Sequence, residues 1–515
     1  MLNGLKLSIA CLALGLLTTI AAPQTVRTSG GLVAGVALPH GVRVFKGIPF
    51  AAPPLGALRW RPPQPAKPWR GVFEADRFAA PCMQPTPQGR VGPWTREFLI
   101  QGKPSEDCLY LNLWTPAEPP SRRAPVMVWI YGGGFTSGGG AVPIYDGAAL
   151  ARRGVVVVDF NYRVGPFGFL ALPGLAAESE HHSTGNYALF DQIAALRWVR
   201  RNIAAFGGDP HRVTIFGQSA GAASVGLLLR SPLARGLFAG AIVMSGPAVI
   251  PDKRISGDIS LPSAEQVGER YAHALGSDSP ARLRKLPALQ LLVASQRVPF
   301  GPIEDGWVVP AHASGGQRPP IMIGMVADDL GIGYYGYGAA PRATLAAYRR
   351  GLTELCGTQA GRCQALYPAQ DGRAGLAALR NARRDRARVS LSLWAANWRR
   401  GGGSVRTYYF DRLLPWPQHP EFGVFHSSEL PYVFDNLRLL DRPWQAADRR
   451  VARELVDYWV NFARRGDPNG PGLANWPSFS AASGTTMELG DRLGPMPLAP
   501  PARLAFWRQA LRQPL

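Results

Sequence analysis

The sequence predicts an α/β protein built on a large, mostly parallel central sheet flanked by helices. Short apolar runs rich in β-branched residues recur along the chain, and helical patterns lie between several of them. The runs are continuous rather than alternating, which is typical of strands buried on both faces of a parallel sheet. They lie at Val126 to Tyr131, Val155 to Tyr162, Val213 to Phe216, Ala241 to Met244 and Ile321 to Val326.

Helical segments are predicted between and after these strands. In the segment 186–203, Leu189, Ile193 and Leu196 recur at helical spacing before the next strand. Helical patterns in 251–320 and 340–400 predict insertions that cover the catalytic face. The section before about residue 120 is rich in proline and glycine, which favours edge hairpins and long loops that wrap the sheet.

A removable leader and one large domain account for the whole chain. Residues 1–22 place Lys6 before an apolar run and end in small residues, which is the layout of a secretory signal. A lipid anchor on Cys11 is the weaker alternative, because the apolar stretch before it is short. Residues 23–515 contain no dividing linker and no later run long enough to span a membrane. We therefore expect a single domain, exported to the periplasm or beyond.

Four cysteines remain after the leader, and they predict two disulfides. An even number of cysteines in an exported chain favours disulfides over free thiols. We expect them to pair in sequence order, Cys82 with Cys108 and Cys356 with Cys363. Metal binding is the competing interpretation, but neither a CxxC motif nor a histidine cluster accompanies them.

The formal net charge of +21 raises the question of a polyanionic partner. A basic field attracts nucleic acids and anionic surfaces. The basic residues are, however, scattered as singles and pairs, and no basic block or nucleic-acid motif is present. We expect no nucleic-acid partner, although some arginines are available to line a site for an acidic substrate. The sequence gives no indication of the oligomeric state.

A candidate nucleophile lies in a turn between a predicted strand and a predicted helix. Val213 to Phe216 is followed at once by Gly217-Gln-Ser-Ala-Gly221 and then by the helix-competent segment Ala222 to Leu229. A GxSxG motif in this context strains the backbone at the serine, requires small neighbours and exposes the hydroxyl above the sheet. We therefore predict Ser219 as the nucleophile.

A glycine-rich loop follows an earlier predicted strand. The strand Val126 to Tyr131 leads into Gly132-Gly133-Gly134. The backbone N–H groups of Gly133 and Gly134, with that of Ala220, are candidates to donate to a developing oxyanion. A phosphate-binding loop is the alternative, but the GxxxxGK[ST] pattern is absent.

The serine needs a base, and the base needs an orienting carboxylate. Among eight histidines, His426 is the strongest candidate, because it follows the strand-like run Val405 to Phe410 and the expected acid. Asp328 and Asp329 directly follow the predicted strand Ile321 to Val326, at the carboxyl end where α/β sites assemble. Spacing alone leaves both aspartates open as the acid.

Taken together, the motifs resemble the type B carboxylesterase family, the group that includes cholinesterases. Besides the serine motif, the matching segments cover nearly the whole chain after the leader: 47–54, 105–112, 129–135, 161–163, 206–210 and 466–469. The resemblance implies an α/β-hydrolase fold and the Cys82 to Cys108 bridge, and it suggests a structural ion pair between Glu106 and Arg163. It also implies six site residues: Ser219 as nucleophile, His426 as base, Asp329 as acid, and Gly133, Gly134 and Ala220 as the oxyanion hole.

The chain departs from the family pattern beside two of these residues. The acid is usually a glutamate followed by glycine, whereas this chain has Asp329 and Leu330. The residue before the nucleophile is usually glutamate and is Gln218 here, which should reduce any preference for cationic esters.

The predicted function is a serine carboxylesterase that hydrolyses a small-molecule ester through an acyl-enzyme, with no cofactor and no metal. The sequence does not indicate the natural ester or the preferred acyl length. The alternative is a non-catalytic, cholinesterase-like binding protein, which would keep the fold and usually lose a triad residue. All three triad positions are filled here.

Overall fold

The computed structural model describes residues 25–87, 89–117, 122–246, 260–310, 318–329 and 343–511. Within them the strands are β1 Thr25–Arg27, β2 Leu32–Ala34, β3 Val36–Leu38, β4 Val42–Pro49, β5 Val72–Glu74, β6 Tyr110–Pro116, β7 Ala124–Ile130, β8 Val156–Phe160, β9 Gly208–Gln218, β10 Gly240–Met244, β11 Ile321–Val326, β12 Val405–Phe410, β13 Thr485–Leu489 and β14 Leu493–Pro497. Eleven of these strands form one sheet, in the order β14-β13-β12-β11-β10-β9-β7-β8-β6-β4-β3.

The middle of this sheet is parallel, and its two ends are antiparallel. Parallel pairing runs without interruption from β8 through β7, β9, β10, β11 and β12 to β13. The strands β6, β4 and β3 on one side and β14 on the other are antiparallel to their neighbours. Every residue of β7, β8, β10 and β11 is buried. The continuous apolar runs are therefore the buried strands that the sequence predicts.

Helices cover the faces of the sheet, and their bounds in the described residues are α1 Ala148–Arg152, α2 Gly165–Phe169, α3 Pro173–Ala177, α4 Tyr187–Asn202, α5 Ala220–Arg230, α6 Leu261–Ala274, α7 Pro280–Leu283, α8 Ala288–Ala294, α9 Leu345–Cys356, α10 Ala360–Leu366, α11 Gly372–Arg400, α12 Leu430–Val433, α13 Ala446–Arg465 and α14 Pro501–Ala510. The helix predicted over 186–203 is α4, and its periodic apolar residues are buried. The segments 251–320 and 340–400 contain helices α6 to α11, as their patterns predict.

Helix α13 shows how the sequence directs one face of a helix to the sheet. Its buried residues include Val451, Leu455 and Trp459, which recur at helical spacing and pack toward β7 and β9. A capping box begins the helix: Gln445 caps the first turn, and the Asp448 carboxylate accepts the Gln445 backbone N–H at 2.8 Å.

The section before residue 120 forms hairpins and loops at the edge of the sheet. Strands β1, β2 and β5 make a separate three-stranded sheet, and β3, β4 and β6 complete one end of the large sheet. The long connection between β5 and β6 is closed by a disulfide between Cys82 and Cys108, and a second disulfide joins Cys356 to Cys363. Both pairings follow sequence order, as predicted.

The ion pair suggested between Glu106 and Arg163 is wrong. Glu106 instead pairs with Arg59, at 2.6 Å, and Arg163 pairs with Asp191 of α4, at 2.7 Å. Arg163 follows β8 and lies 3% exposed, so its guanidinium requires a carboxylate inside the core, and Asp191 is fully buried beside it. No local pattern predicts either partner, because both pairs join segments that are distant in sequence.

The predicted leader lies outside the described residues. Within the described part of the chain, no helix has both the length and the apolar character needed to cross a membrane.

The Cys82 to Cys108 disulfide should stabilise the folded chain measurably. The two cysteines are 26 residues apart, and closing a loop of that length lowers the entropy of the unfolded chain by an amount worth about 3 kcal/mol. We expect the double variant Cys82→Ser, Cys108→Ser to lose about that much free energy of unfolding, measured by urea denaturation. An unchanged urea midpoint would show that the loop is held mainly by other contacts; the double Cys356→Ser, Cys363→Ser variant, whose loop is shorter, should lose less.

Candidate active site

Ser219 lies at the turn between β9 and α5, where the GxSxG motif predicts it. Its backbone has φ 60° and ψ −124°, a conformation that residues with a Cβ atom rarely adopt. The Ser219 N–H donates to the carbonyl oxygen of Met244 at 3.0 Å, which ties the turn to β10. The residue is partly exposed, although its neighbours on both sides are buried. The strained turn therefore presents the hydroxyl at the carboxyl end of the sheet.

The glycines of the motif are required by close backbone contacts. A Cβ atom at Gly221 would lie 1.9 Å from the carbonyl oxygen of Ile130, at the end of β7. A Cβ at Gly217 would lie 2.6 Å from the carbonyl carbon of Gly221. These distances are shorter than any side chain allows, so the turn holds helix α5 directly against two strands.

The glycine-rich loop after β7 lies against the serine. A Cβ at Gly132 would be 2.9 Å from the Cβ of Ser219. Gly133 and Gly134 have φ values of 113° and 63°, and their N–H groups donate to no other residue in the described part of the chain. Ala220 begins α5, so its N–H has no acceptor within the helix. The three N–H groups chosen from the sequence thus belong to two segments that meet at Ser219.

His426 and Asp329 are in direct contact. Asp329 Oδ1 hydrogen-bonds to His426 Nδ1, and both residues are buried, at 6% and 8% exposure. Asp329 follows β11, and His426 lies in the loop between β12 and α12. The structure therefore brings together the carboxylate and the imidazole that the sequence places 97 residues apart.

Asp328, the other aspartate considered as the acid, has a different set of partners. Its carboxylate accepts two hydrogen bonds from Arg384 of α11, at 2.9 and 2.8 Å, and one from the Val424 N–H at 3.0 Å. Its own N–H donates to the Val424 carbonyl oxygen at 3.0 Å. Asp328 therefore holds the loop that carries His426, while Asp329 contacts the imidazole.

Two further contacts to His426 connect residues that are distant in sequence. The indole N–H of Trp94, inside the Cys82 to Cys108 loop, donates to the His426 carbonyl oxygen at 3.2 Å. The side-chain nitrogen of Gln218 lies 3.0 Å from His426 Nε2. The sequence predicts only that Gln218 lacks the usual charge, because no local pattern reveals either contact.

A buried glutamate lies behind this group. Glu429 is 1% exposed, and neither carboxylate oxygen has a hydrogen-bond partner among the described residues. Burial, followed by the nearby charge of Asp329, raises the pKa of Glu429 to about 8. The raised pKa therefore favours the carboxylic acid form of Glu429 at neutral pH.

The described residues contain no group of three or more His, Cys, Asp or Glu side chains that could hold a metal ion. The arrangement around Ser219 consists of a hydroxyl, an imidazole in contact with a carboxylate, and backbone N–H donors. Such a set can transfer an acyl group by nucleophilic and general-base chemistry.

Replacing Glu429 by glutamine should change how stability depends on pH. Because the pKa of Glu429 is raised on folding, its contribution to stability is complete below the unfolded value near 4.5 and is lost as the pH rises toward 8. Glutamine does not titrate. We expect Glu429→Gln to gain stability relative to the wild type between pH 5 and pH 8.5, measured as the difference in thermal midpoint at one scan rate. A difference that stays constant over this range would contradict a neutral Glu429.

Comparisons with known proteins show the family to which the chain belongs. The Carboxylesterase family model matches residues 22–356 and 371–507. A fumonisin B1 esterase from Sphingopyxis macrogoltabida is 39% identical over 499 residues, covering 92% of this chain and 87% of the relative. An acetylcholinesterase from Bungarus fasciatus is 34% identical over 533 residues, covering 94% and 86%. The chain therefore belongs to the carboxylesterase family, has its α/β-hydrolase fold, and is a carboxylic ester hydrolase.

Proposed function

We propose that the chain hydrolyses its ester through a Ser219–His426–Asp329 triad and an acyl-enzyme intermediate. The observation that carries this proposal is the contact between Asp329 and His426 Nδ1, beside a serine held in a strained strand-to-helix turn. Because Asp329 accepts the Nδ1 proton, Nε2 is left with its lone pair, which is the form of imidazole that acts as a base.

Acylation begins when Ser219 Oγ attacks the carbonyl carbon of the ester and its proton passes to His426 Nε2. The C–O bond to the alcohol then breaks, and the imidazolium returns the proton to the leaving alkoxide oxygen. A water molecule repeats the sequence on the acyl-enzyme, giving the carboxylic acid and free Ser219. Asp329 stays ionised throughout and stabilises the imidazolium.

The negative charge of each tetrahedral intermediate falls on the former carbonyl oxygen. Gly133, Gly134 and Ala220 support an oxyanion hole, since their N–H groups belong to segments that meet at Ser219 and the two glycine donors have no other acceptor among the described residues. Each such donor is worth about 3 kcal/mol in the transition state.

The substrate is proposed to be a small-molecule carboxylic ester. One relative's name identifies fumonisin B1 as its ester and the other's identifies acetylcholine, so family membership leaves the alcohol and acyl groups open. The uncharged Gln218 favours neutral or acidic esters over cationic ones, because a buried carboxylate at this place would attract a cation.

We also propose that the chain is exported by its leader and works as a single domain over 23–515. The two disulfides support export, because such bonds form and persist in oxidising compartments.

Single substitutions in the triad should abolish turnover without unfolding the protein. We expect Ser219→Ala and His426→Ala to lower kcat by about 10⁴-fold or more. The substrates are the p-nitrophenyl esters of acetate, butyrate and octanoate, whose relative rates also measure the acyl preference. Circular dichroism would check that each variant is folded.

The neighbouring aspartates provide a matched pair for the acid. We expect Asp329→Asn to approach the loss of the serine variant, because an amide cannot hold Nδ1–H in the same way. Asp328→Asn should remain far more active, since its contacts are with Arg384 and Val424. The opposite order would assign the acid to Asp328, and a folded but inactive wild type would favour the non-catalytic binding protein.

A further inference from the structure

The side chain of Gln218 contacts the nitrogen atom of His426 that the proposed reaction needs as its proton acceptor. Its amide nitrogen is 3.0 Å from His426 Nε2, the atom that must accept the Ser219 proton. Gln218 is 2% exposed, so its side chain cannot turn out to solvent while the site stays folded.

With the amide nitrogen of Gln218 facing the imidazole, the direction of this hydrogen bond follows from the chemistry of the two groups. An amide nitrogen can only donate, so Nε2 must accept and must carry no proton. The Nδ1 proton is directed at Asp329. The contact therefore selects the neutral imidazole with its proton on Nδ1, which is the form required of a general base. A hydrogen bond to the neutral form opposes protonation.

The amide oxygen of Gln218, Oε1, lies near the glycine-rich loop. A Cβ at Gly132 would lie 3.2 Å from Gln218 Oε1, so the amide lies between the glycine-rich loop and the imidazole. Rotation about the last side-chain bond would exchange the oxygen and the nitrogen, and Oε1 would then accept from the imidazolium. A glutamate side chain has the same length as glutamine, but when ionised it has two acceptor oxygens and no donor. At the place of Gln218 it would therefore stabilise only the imidazolium.

We propose that Gln218 is a positioning residue that sets the protonation state of His426. In the resting enzyme its amide donates to Nε2 and holds the base neutral, and it must release Nε2 to Ser219 before attack. This inference rests on the proposed triad. It adds that the residue before the nucleophile controls the range of pH over which the base is available.

The test is the rate at which Ser219 is phosphorylated by the uncharged reagent diethyl p-nitrophenyl phosphate, followed from pH 5 to pH 9. A neutral reagent separates the state of the base from any attraction between substrate and charge. We expect Gln218→Glu to move the acidic midpoint of this profile to higher pH by about one unit or more, because a carboxylate beside an imidazole favours its protonated form. Gln101→Glu adds the same charge within the Cys82 to Cys108 loop and should leave the midpoint unchanged.

An identical midpoint in the wild type and in folded Gln218→Glu would overturn the proposal. A wild type that is not phosphorylated at any pH would instead contradict the triad. If Gln218→Glu does not fold, ¹⁵N spectra of histidine-labelled wild type, with His426→Gln for assignment, provide the second measurement. We expect a protonated Nδ1 and an unprotonated Nε2 at pH 7, and an imidazolium signal at that pH would refute a neutral base held by Gln218.

Discussion

The approach of helix α5 to the end of strand β7 is closer than any side chain would allow, since a Cβ at Gly221 would lie 1.9 Å from the Ile130 carbonyl oxygen. This contact fixes the angle of the turn at Ser219, and it brings the glycine-rich loop that follows β7 against the serine. The positive φ of Ser219 is the conformational cost of the same arrangement. The proposed nucleophile and the proposed oxyanion donors therefore share one packing constraint.

The other half of the site is assembled at the carboxyl end of β11, where two adjacent aspartates have different tasks. Asp328 joins the loop of His426 to helix α11 through Arg384 and the Val424 N–H, and this leaves Asp329 directed at the imidazole. The two carboxylates have different partners, so Asp328 can anchor the loop while Asp329 contacts the imidazole that it carries. Trp94 adds a third support, from the loop that the Cys82 to Cys108 disulfide closes.

The sequence predicts those features whose causes are local. Apolar runs predict the buried strands, and GxSxG after a strand predicts Ser219, because hydrophobic periodicity and turn chemistry act over a few residues. The choice between Asp328 and Asp329 depends on side-chain direction in the folded loop, so spacing could not make it. Arg59 and Glu106 are 47 residues apart, and Gln218 and His426 are 208 residues apart. Such long-range pairs leave no local pattern, and the partner suggested for Glu106 is accordingly wrong.

The distribution of charge around His426 depends on one of the departures from the family pattern, the uncharged Gln218. A carboxylate before the nucleophile, beside Asp329 and Glu429, would put three acidic groups around one imidazole. With Gln218 in that place, and with burial raising the pKa of Glu429 to about 8, Asp329 is the carboxylate in direct contact with the imidazole. A single anion stabilises the imidazolium formed during attack, and a further one before the nucleophile would favour a proton on Nε2 more strongly. The neutral Gln218 and the raised pKa of Glu429 thus act in the same direction, because both reduce the negative charge beside His426.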